Sequence, residues 1–330
     1  MTSIVPVASG KGGVGKTVCT ANLGVALARA GKTVILADLD LGGSNLHTCL
    51  GVRNNRSGIG HFVNRQEDTL ESLLVETAER RLFFIPGDSL LPGTANLPYF
   101  RKEKILKGLP QLVADFVLLD LGAGTAYNTL DFFLMSNSGL LVITPETTSI
   151  LNAYSFIKSA LFRLLYRTFP NRSRERDLIT AFSAERLEGS DAKLGSLVER
   201  LAELEPGSGE LARSRIAQFT PRVILNMGRD SRDIQIGAKL RQIVRRNLEI
   251  DVQYIGFLPY DTRVSRSIID RVPAFSADPG GPFAQSLAAA AEKLVHSPAA
   301  PASALFEGDE DLAEVNRTFL QSAGQQDPAG

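Results

Sequence analysis

Residues 10–17 read Gly10-Lys11-Gly12-Gly13-Val14-Gly15-Lys16-Thr17. The spacing of the first glycine, last glycine, lysine and threonine is that of a phosphate-binding loop. The loop follows a short apolar run, 4–8, and precedes an alanine- and leucine-rich stretch, 18–30, whose apolar residues recur at helical spacing. In that strand-loop-helix context the four glycines let successive N–H groups converge on an anion at the positive end of a helix. Lys16 then neutralises β- and γ-phosphate charge, and the Thr17 hydroxyl ligates Mg²⁺. A glycine-rich turn that binds nothing would have no need of the lysine and threonine in register. Lys11, an extra cation directly after the first glycine, points to a nucleotide switch ahead of a simple enzyme.

Working outward, apolar runs recur at 33–37, 82–85, 116–119, 140–144, 222–225 and 252–255, with helical patterns between most of them. Uninterrupted apolar strands alternating with helices predict an α/β, doubly wound, mostly parallel sheet covered on both faces. In such a sheet, ligands gather at the carboxyl ends of the strands. Pro6, inside the first run, cannot donate to a ladder and predicts a bulge or a late strand start. Between 154 and 219 no strand is expected. Helical patterns at 155–166 and 194–204 flank a polar stretch at 170–177, and Glu205-Pro206-Gly207-Ser208-Gly209 reads as a loop. The expected division is therefore a nucleotide-binding domain over 1–296 with a helical insertion at about 154–219. A Pro/Ala linker and an acidic, flexible tail over 297–330 follow.

Two further segments carry acids to the same sheet edge. Asp38 and Asp40 end the second run, where carboxylates can hold a metal's water shell or orient an attacking water. Acidic residues also simply favour strand ends and turns. Asp120 ends the run 116–119 as a second metal-side acid, and Gly122 and Gly124 after it leave the segment free to move.

The bulk properties exclude more than they identify. The 330 residues are 44% hydrophobic, enough for a substantial core. Lys+Arg and Asp+Glu are both 36, so no overall charge draws the chain to nucleic acid or an acidic membrane. Cys19 and Cys49 have no C-x-x-C spacing, which suits a reducing compartment and offers no cluster site. His47, His61 and His296 have no ligand spacing, and no Ser-His-Asp pattern is present. The loop begins within ten residues of the N-terminus and no apolar run approaches the roughly 18 residues of a spanning helix, so a cytoplasmic protein is expected.

Together the stretches S-G-K-G-G-V-G-K-T, A-D-L-D-L-G-G-S-N-L and L-L-D-L-G-A-G resemble the deviant Walker A ATPases of the MinD/ParA group, which includes the flagellar-number regulator FlhG. The resemblance runs with gaps through most of 4–295 and implies a P-loop ATPase that binds ATP and Mg²⁺, forms a homodimer around ATP and hydrolyses it slowly. It implies that Gly10, Gly12, Gly13, Val14, Gly15, Lys16, Thr17 and Val18 bind the nucleotide. Lys11 would reach across to the partner's phosphates, and Asp40 would position the hydrolytic water. Asp38 would lie in the first switch, and Asp120 would support Mg²⁺ in the second. Asn226 would read adenine, and Pro259 would lie in the base-flanking loop. Gly122 departs from the proline or serine of many relatives, and the excursion is longer than in the simplest ones.

The surface that such a switch would organise stays open. Glu307, Asp309, Glu310, Asp311 and Glu314 against a lone Arg317 argue against a membrane anchor. Leu305, Phe306, Leu312, Val315, Phe319 and Leu320 could dock on a protein partner or activator, or the tail could be disordered. Arg163, Arg167, Arg172, Arg174 and Arg176, and Lys239, Arg241, Arg245 and Arg246, could contact DNA phosphates or form solvated helix faces. A metal-cluster carrier or reductase subunit would need paired cysteines that this chain lacks, and a small-molecule phosphotransferase or ligase would need an acceptor pocket for which no motif appears.

Overall fold

In the second strand, Val34 and Leu36 pack in one apolar layer while Ile35, Ala37 and Leu39 pack in the other. That period-two split, with every residue buried, is what a central strand of a covered parallel sheet requires. The computed structural model describes residues 2–53, 57–87, 97–187, 193–296 and 309–324. Its strands are β1 (Ser3–Ala8), β2 (Val34–Leu39), β3 (Val75–Glu76), β4 (Leu82–Ile85), β5 (Phe116–Leu121), β6 (Leu140–Ile143), β7 (Arg222–Gly228) and β8 (Gln253–Pro259). They form one eight-stranded sheet in the order β3-β4-β2-β5-β1-β6-β7-β8. All neighbours are parallel except β3, which runs antiparallel to β4.

One face carries the loop helix Lys16–Arg29 and the helix Pro282–His296, which pack together. The other carries the long helix Thr147–Thr168 against the helix Ile234–Leu248. The described residues between β6 and β7 are helical: Thr147–Thr168, Arg174–Leu187, Leu194–Leu204 and Pro206–Gln218.

Three expectations are corrected. Pro6 causes neither bulge nor late start, because the β1–β5 register runs unbroken from Ser3 to Val7. The Ser3 amide donates to Asp115 on the β5 side. By strand alternation the Pro6 nitrogen then faces β6, whose pairing with β1 begins only at Val7. Second, the loop expected at Glu205–Gly209 shrinks to a break at Glu205, since Pro206 opens a helix at the first-turn position where its missing N–H costs nothing.

Third, residues 309–324 are not a flexible tail. The terminal helix Glu310–Ser322 folds back on β8 and the helix Ile234–Leu248, burying Leu312, Val315, Phe319 and Leu320. Its apolar stripe is satisfied within the chain. The Asp311 carboxylate accepts from the Tyr254 amide at 2.7 Å, capping a donor on the open edge of β8. The linker, Leu305, Phe306 and Glu307 lie outside the described residues. No helix among the described residues is long and apolar enough to cross a membrane.

Candidate functional site

The carboxyl ends of β1, β2, β5, β6 and β7 bring the expected residues to one edge. After β1 the chain turns through the loop, shaped by the Ser9 hydroxyl donating to the Lys11 carbonyl at 2.9 Å. Gly15 takes φ 83°, and a Cβ there would lie 2.4 Å from the Asn226 Nδ2, so only glycine fits. Gly10 is pressed by the long helix, where a Cβ would lie 2.3 Å from the Asn152 carbonyl oxygen. At Gly12 and Gly13 an added Cβ would meet nothing within 4 Å, leaving the cradle open to an anion.

Lys16 is buried at the start of the loop helix, and its ammonium is the hub of the site. Nζ donates to Asp120 Oδ1 at 2.7 Å and lies 3.4 Å from the Thr17 hydroxyl and 4.0 Å from Asp40 Oδ2. The Thr20 hydroxyl, one helical turn on, donates to the same Asp120 oxygen at 3.1 Å. Asp120 Oδ2 is buried and has no hydrogen-bond partner. A buried carboxylate oxygen left so is costly, and the water shell of a magnesium ion would satisfy it. Thr17 and Asp120 therefore fit a magnesium–nucleotide complex. Among the described residues no group of three or more His, Cys, Asp or Glu could hold a metal ion, so magnesium here would draw its remaining ligands from phosphate and water.

Asp38, paired in register with Asp120 across β2 and β5, also organises its own turn. Its Oδ2 accepts from the Ser44 hydroxyl at 2.6 Å and the Leu46 amide at 3.1 Å, and its Oδ1 from the Asp40 amide at 3.1 Å. Burial, and then the nearby Asp120 charge, push its carboxyl up to about 7 despite those bonds. Its work is to fix the Asp40–Asn45 turn, which leaves the Asp40 carboxylate partly exposed beside Lys16. A Cβ at Gly122 would lie 3.4 Å from Asp40 Oδ1, which sets the segment after β2 beside the segment after β5. The Gly124 amide ties the second one to the Ser9 carbonyl at 3.0 Å.

Lys11 points elsewhere. Its ammonium donates to Glu146 at 2.5 Å and to the Thr148 hydroxyl at 3.2 Å, at the start of the long helix. Sequence reading missed both partners, along with Thr20 and Ser44. The signal for Glu146 was available, because it follows the end of the run 140–144 at the sheet edge where ligands gather. Asn226 ends the regular part of β7, and its amide donates to the Val14 carbonyl at 2.9 Å. Pro259 ends β8 opposite Gly228, followed by half-exposed Tyr260 with the Arg229 guanidinium 5.8 Å from its ring centre.

The expected basic patches are largely engaged within the chain. Arg163 and Arg167 hold the buried Asp131 together with Lys102, and Arg176 donates to the Phe169 carbonyl. Arg241 is only 1% exposed and binds Asp309, Asp311 and the Val252 carbonyl, while Arg245 pairs with Asp251. Buried Arg241 is thereby corrected from a candidate DNA contact to an internal clamp, whereas Arg167 and Arg245 pair with acids and stay partly exposed.

Comparison with known proteins agrees with this geometry. The domain described as CobQ/CobB/MinD/ParA nucleotide binding domain matches residues 5–274. The antiactivator FleN of Pseudomonas aeruginosa is 25% identical over 294 residues, covering 88% of this chain and 85% of that protein. The flagellum site-determining protein YlxH of Helicobacter pylori is 34% identical over 164 residues, 48% of this chain and 53% of that protein. The chain thus spans most of the former relative and about half of the latter. The structure of the septum site-determining protein MinD from Pyrococcus horikoshii OT3, complexed with Mg-ADP, superposes with a TM-score of 0.62 at 22% identity, covering 90% of this chain and 97% of that one. With its phosphate-binding loop and parallel sheet in place and the match extending over most of its length, this chain belongs to the CobQ/CobB/MinD/ParA family of nucleotide-binding proteins.

Proposed function

We propose that this chain is a dimerisation switch that binds ATP with Mg²⁺, hydrolyses it slowly, and uses the ATP-bound pair to set the position or number of a cellular structure. The relatives named antiactivator, flagellum site-determining and septum site-determining proteins support that reading of its purpose. The observation that carries the mechanism is the separation of the two lysines. Lys16 is buried among Asp120, Thr17 and Asp40, whereas Lys11 sits at the surface with Glu146, whose side chain is 60% exposed. A cation held outside its own phosphate site supports a role toward a second copy.

In this reading the loop amides and Lys16 bind the β- and γ-phosphates, and Thr17 and Asp120 hold the magnesium shell. Magnesium, when bound, offsets charge on the phosphate oxygens. Asp40 orients the attacking water, with Asp38 fixing the turn that carries it. Lys11, released from Glu146, adds charge to the partner's site as an arginine finger does. Asn226 and Pro259 flank the base. A cluster-carrier reading is disfavoured because Cys19 and Cys49 are both buried, and burial pushes both thiols up, to about 12 and about 11.

Size-exclusion chromatography with ATP and Mg²⁺ tests the proposal. Asp40→Ala is expected to accumulate as a dimer and Lys11→Ala to stay monomeric. Monomers in every sample would contradict it.

A further inference from the structure

The terminal helix lies along the edge strand β8, between the helices Ile234–Leu248 and Pro282–His296, yet a continuous line of contacts joins it to the phosphate loop. Phe319, 1% exposed, stacks on Phe257 of β8 with ring centres 4.0 Å apart and planes 14° from parallel. The Phe257 ring in turn lies against β7 so closely that a Cβ added at Gly228 would fall 1.8 Å from it. Gly228 closes a stretch where the β7–β8 register slips after Leu225, and Met227 within it adopts φ 61°. A left-handed methionine persists only where its surroundings over-determine it. The same stretch carries Asn226, bonded to the Val14 carbonyl, and Met227, whose Cε would lie 3.4 Å from a Cβ at Gly15. From the other side the Tyr260 amide, just after Pro259, donates to the Gly228 carbonyl at 2.7 Å.

We infer that the terminal helix is a positioning element of the nucleotide site: Phe319 backs Phe257, which holds the Asn226–Gly228 kink and the Pro259–Tyr260 turn in their base-facing pose. The inference rests on the reading above, in which Asn226 and Pro259 flank the base. The helix is fastened for this role. Asp311 accepts from the Tyr254 amide and pairs with buried Arg241, Asp309 pairs with the same guanidinium at 2.6 Å, and Glu314 pairs with Lys293 at 3.0 Å. Removing the Phe319 ring leaves Phe257 free to tilt away from Gly228, and the kink loses its backing. The phosphate half of the site is built on β1, β2 and β5, and the line reaches it only at the Asn226–Val14 hydrogen bond and beside Gly15.

Calorimetric titration of the full-length chain with ATP–Mg²⁺ and, separately, with inorganic tripolyphosphate–Mg²⁺ distinguishes base-side positioning from general loss of stability. Phe319→Ala is expected to weaken ATP binding about tenfold and to leave tripolyphosphate binding within about twofold. Phe319→Leu retains most of the contact and should recover most of the affinity. Leu197→Ala, in the buried core of the insertion, destabilises the chain elsewhere and should leave the ratio of the two affinities unchanged. A Phe319→Ala ratio equal to that of wild type overturns the inference. If Phe319→Ala does not fold, Phe319→Ser in the full-length chain, assayed at lower temperature, decides in its place, with an unchanged ratio again overturning the inference. Wild-type protein that binds tripolyphosphate and ATP equally would instead overturn the base-site reading, and the inference with it.

Discussion

Replacing Arg241 by methionine should cost this chain about 3 kcal/mol. Removing one partner of a buried ion pair costs about 3–5 kcal/mol, because the charge left behind is uncompensated. Three carboxylates surround the guanidinium, but they do not suffer equally. Asp309 is 55% exposed and can turn to water, and Asp251 keeps Arg245 at 2.5 Å. Asp311, 9% exposed, is left with the Tyr254 and Leu312 amides at 2.7 and 2.8 Å and no cation. One orphaned charge, still hydrogen-bonded, sets the cost near the lower bound. For a chain of this size that corresponds to a fall in melting temperature of about 4 °C. Urea unfolding followed by circular dichroism measures it, with the double variant Arg241→Met/Asp311→Asn as the control. Because the second change removes the stranded charge, the double variant should be about 1–2 kcal/mol more stable than Arg241→Met alone. A single-variant loss below about 1 kcal/mol, or a double-variant loss equal to the sum of the two singles, would refute the claim that Arg241 holds the terminal helix by compensating buried charge.

Acid should unlock a different clamp. Burial opposes ionisation of Asp131, but hydrogen bonds from Arg163 and Lys102 outweigh it and lower its pKa. The folded value is therefore below the unfolded one of about 3.9, so the stabilisation is complete above that value and is lost as pH falls through the folded one. Wild type should lose stability more steeply than Asp131→Asn below about pH 4, and parallel denaturation profiles would count against the clamp. Gly15→Ala combines a φ of 83° with a Cβ 2.4 Å from Asn226, so fluorescent ATP-analogue binding should weaken by more than about tenfold. Unchanged binding would show that the loop does not hold nucleotide in this conformation. Glu146→Gln removes a pair in which both side chains reach solvent, so thermal stability should move by less than about 1 kcal/mol. The ATP-dependent dimer should nonetheless form at lower protein concentration, and a weaker dimer would argue that Glu146 helps Lys11 to act.

The sheet and the loop were legible because both are written locally. Buried parallel strands appear as unbroken apolar runs, and the run 82–85 became β4 without change. The loop's glycines, lysine and threonine lie within eight consecutive positions. Elements with mixed composition were harder to read. The long helix begins at Thr147, well before the periodic stretch 155–166, because Thr148, Ser149 and Asn152 in its first turns serve Lys11, β6 and the loop and not the core. The terminal helix carried its stripe of Leu312, Val315 and Phe319 in plain view, but its acids suggested a solvated tail. What sequence could not supply were the pairings between distant residues. Lys11 meets Glu146 across 135 positions, and Arg241 meets Asp311 across 70. A cation in a list of basic residues looks the same whether it faces solvent or three carboxylates.

The most direct test of the central claim, that Lys11 serves the partner's nucleotide, is ATP hydrolysis by a mixture of two variants that are each inactive alone. In a mixed pair the Lys11→Ala subunit keeps its own Asp40 and receives Lys11 from its Asp40→Ala partner, completing one site. Random pairing of equal amounts would make about half the pairs mixed; because Asp40→Ala also pairs with itself, the mixture should recover clear turnover up to about a quarter of the wild-type rate. If Lys11 acts on its own subunit's phosphates, neither site in any pair is whole, and a mixture as inactive as its components would contradict the account.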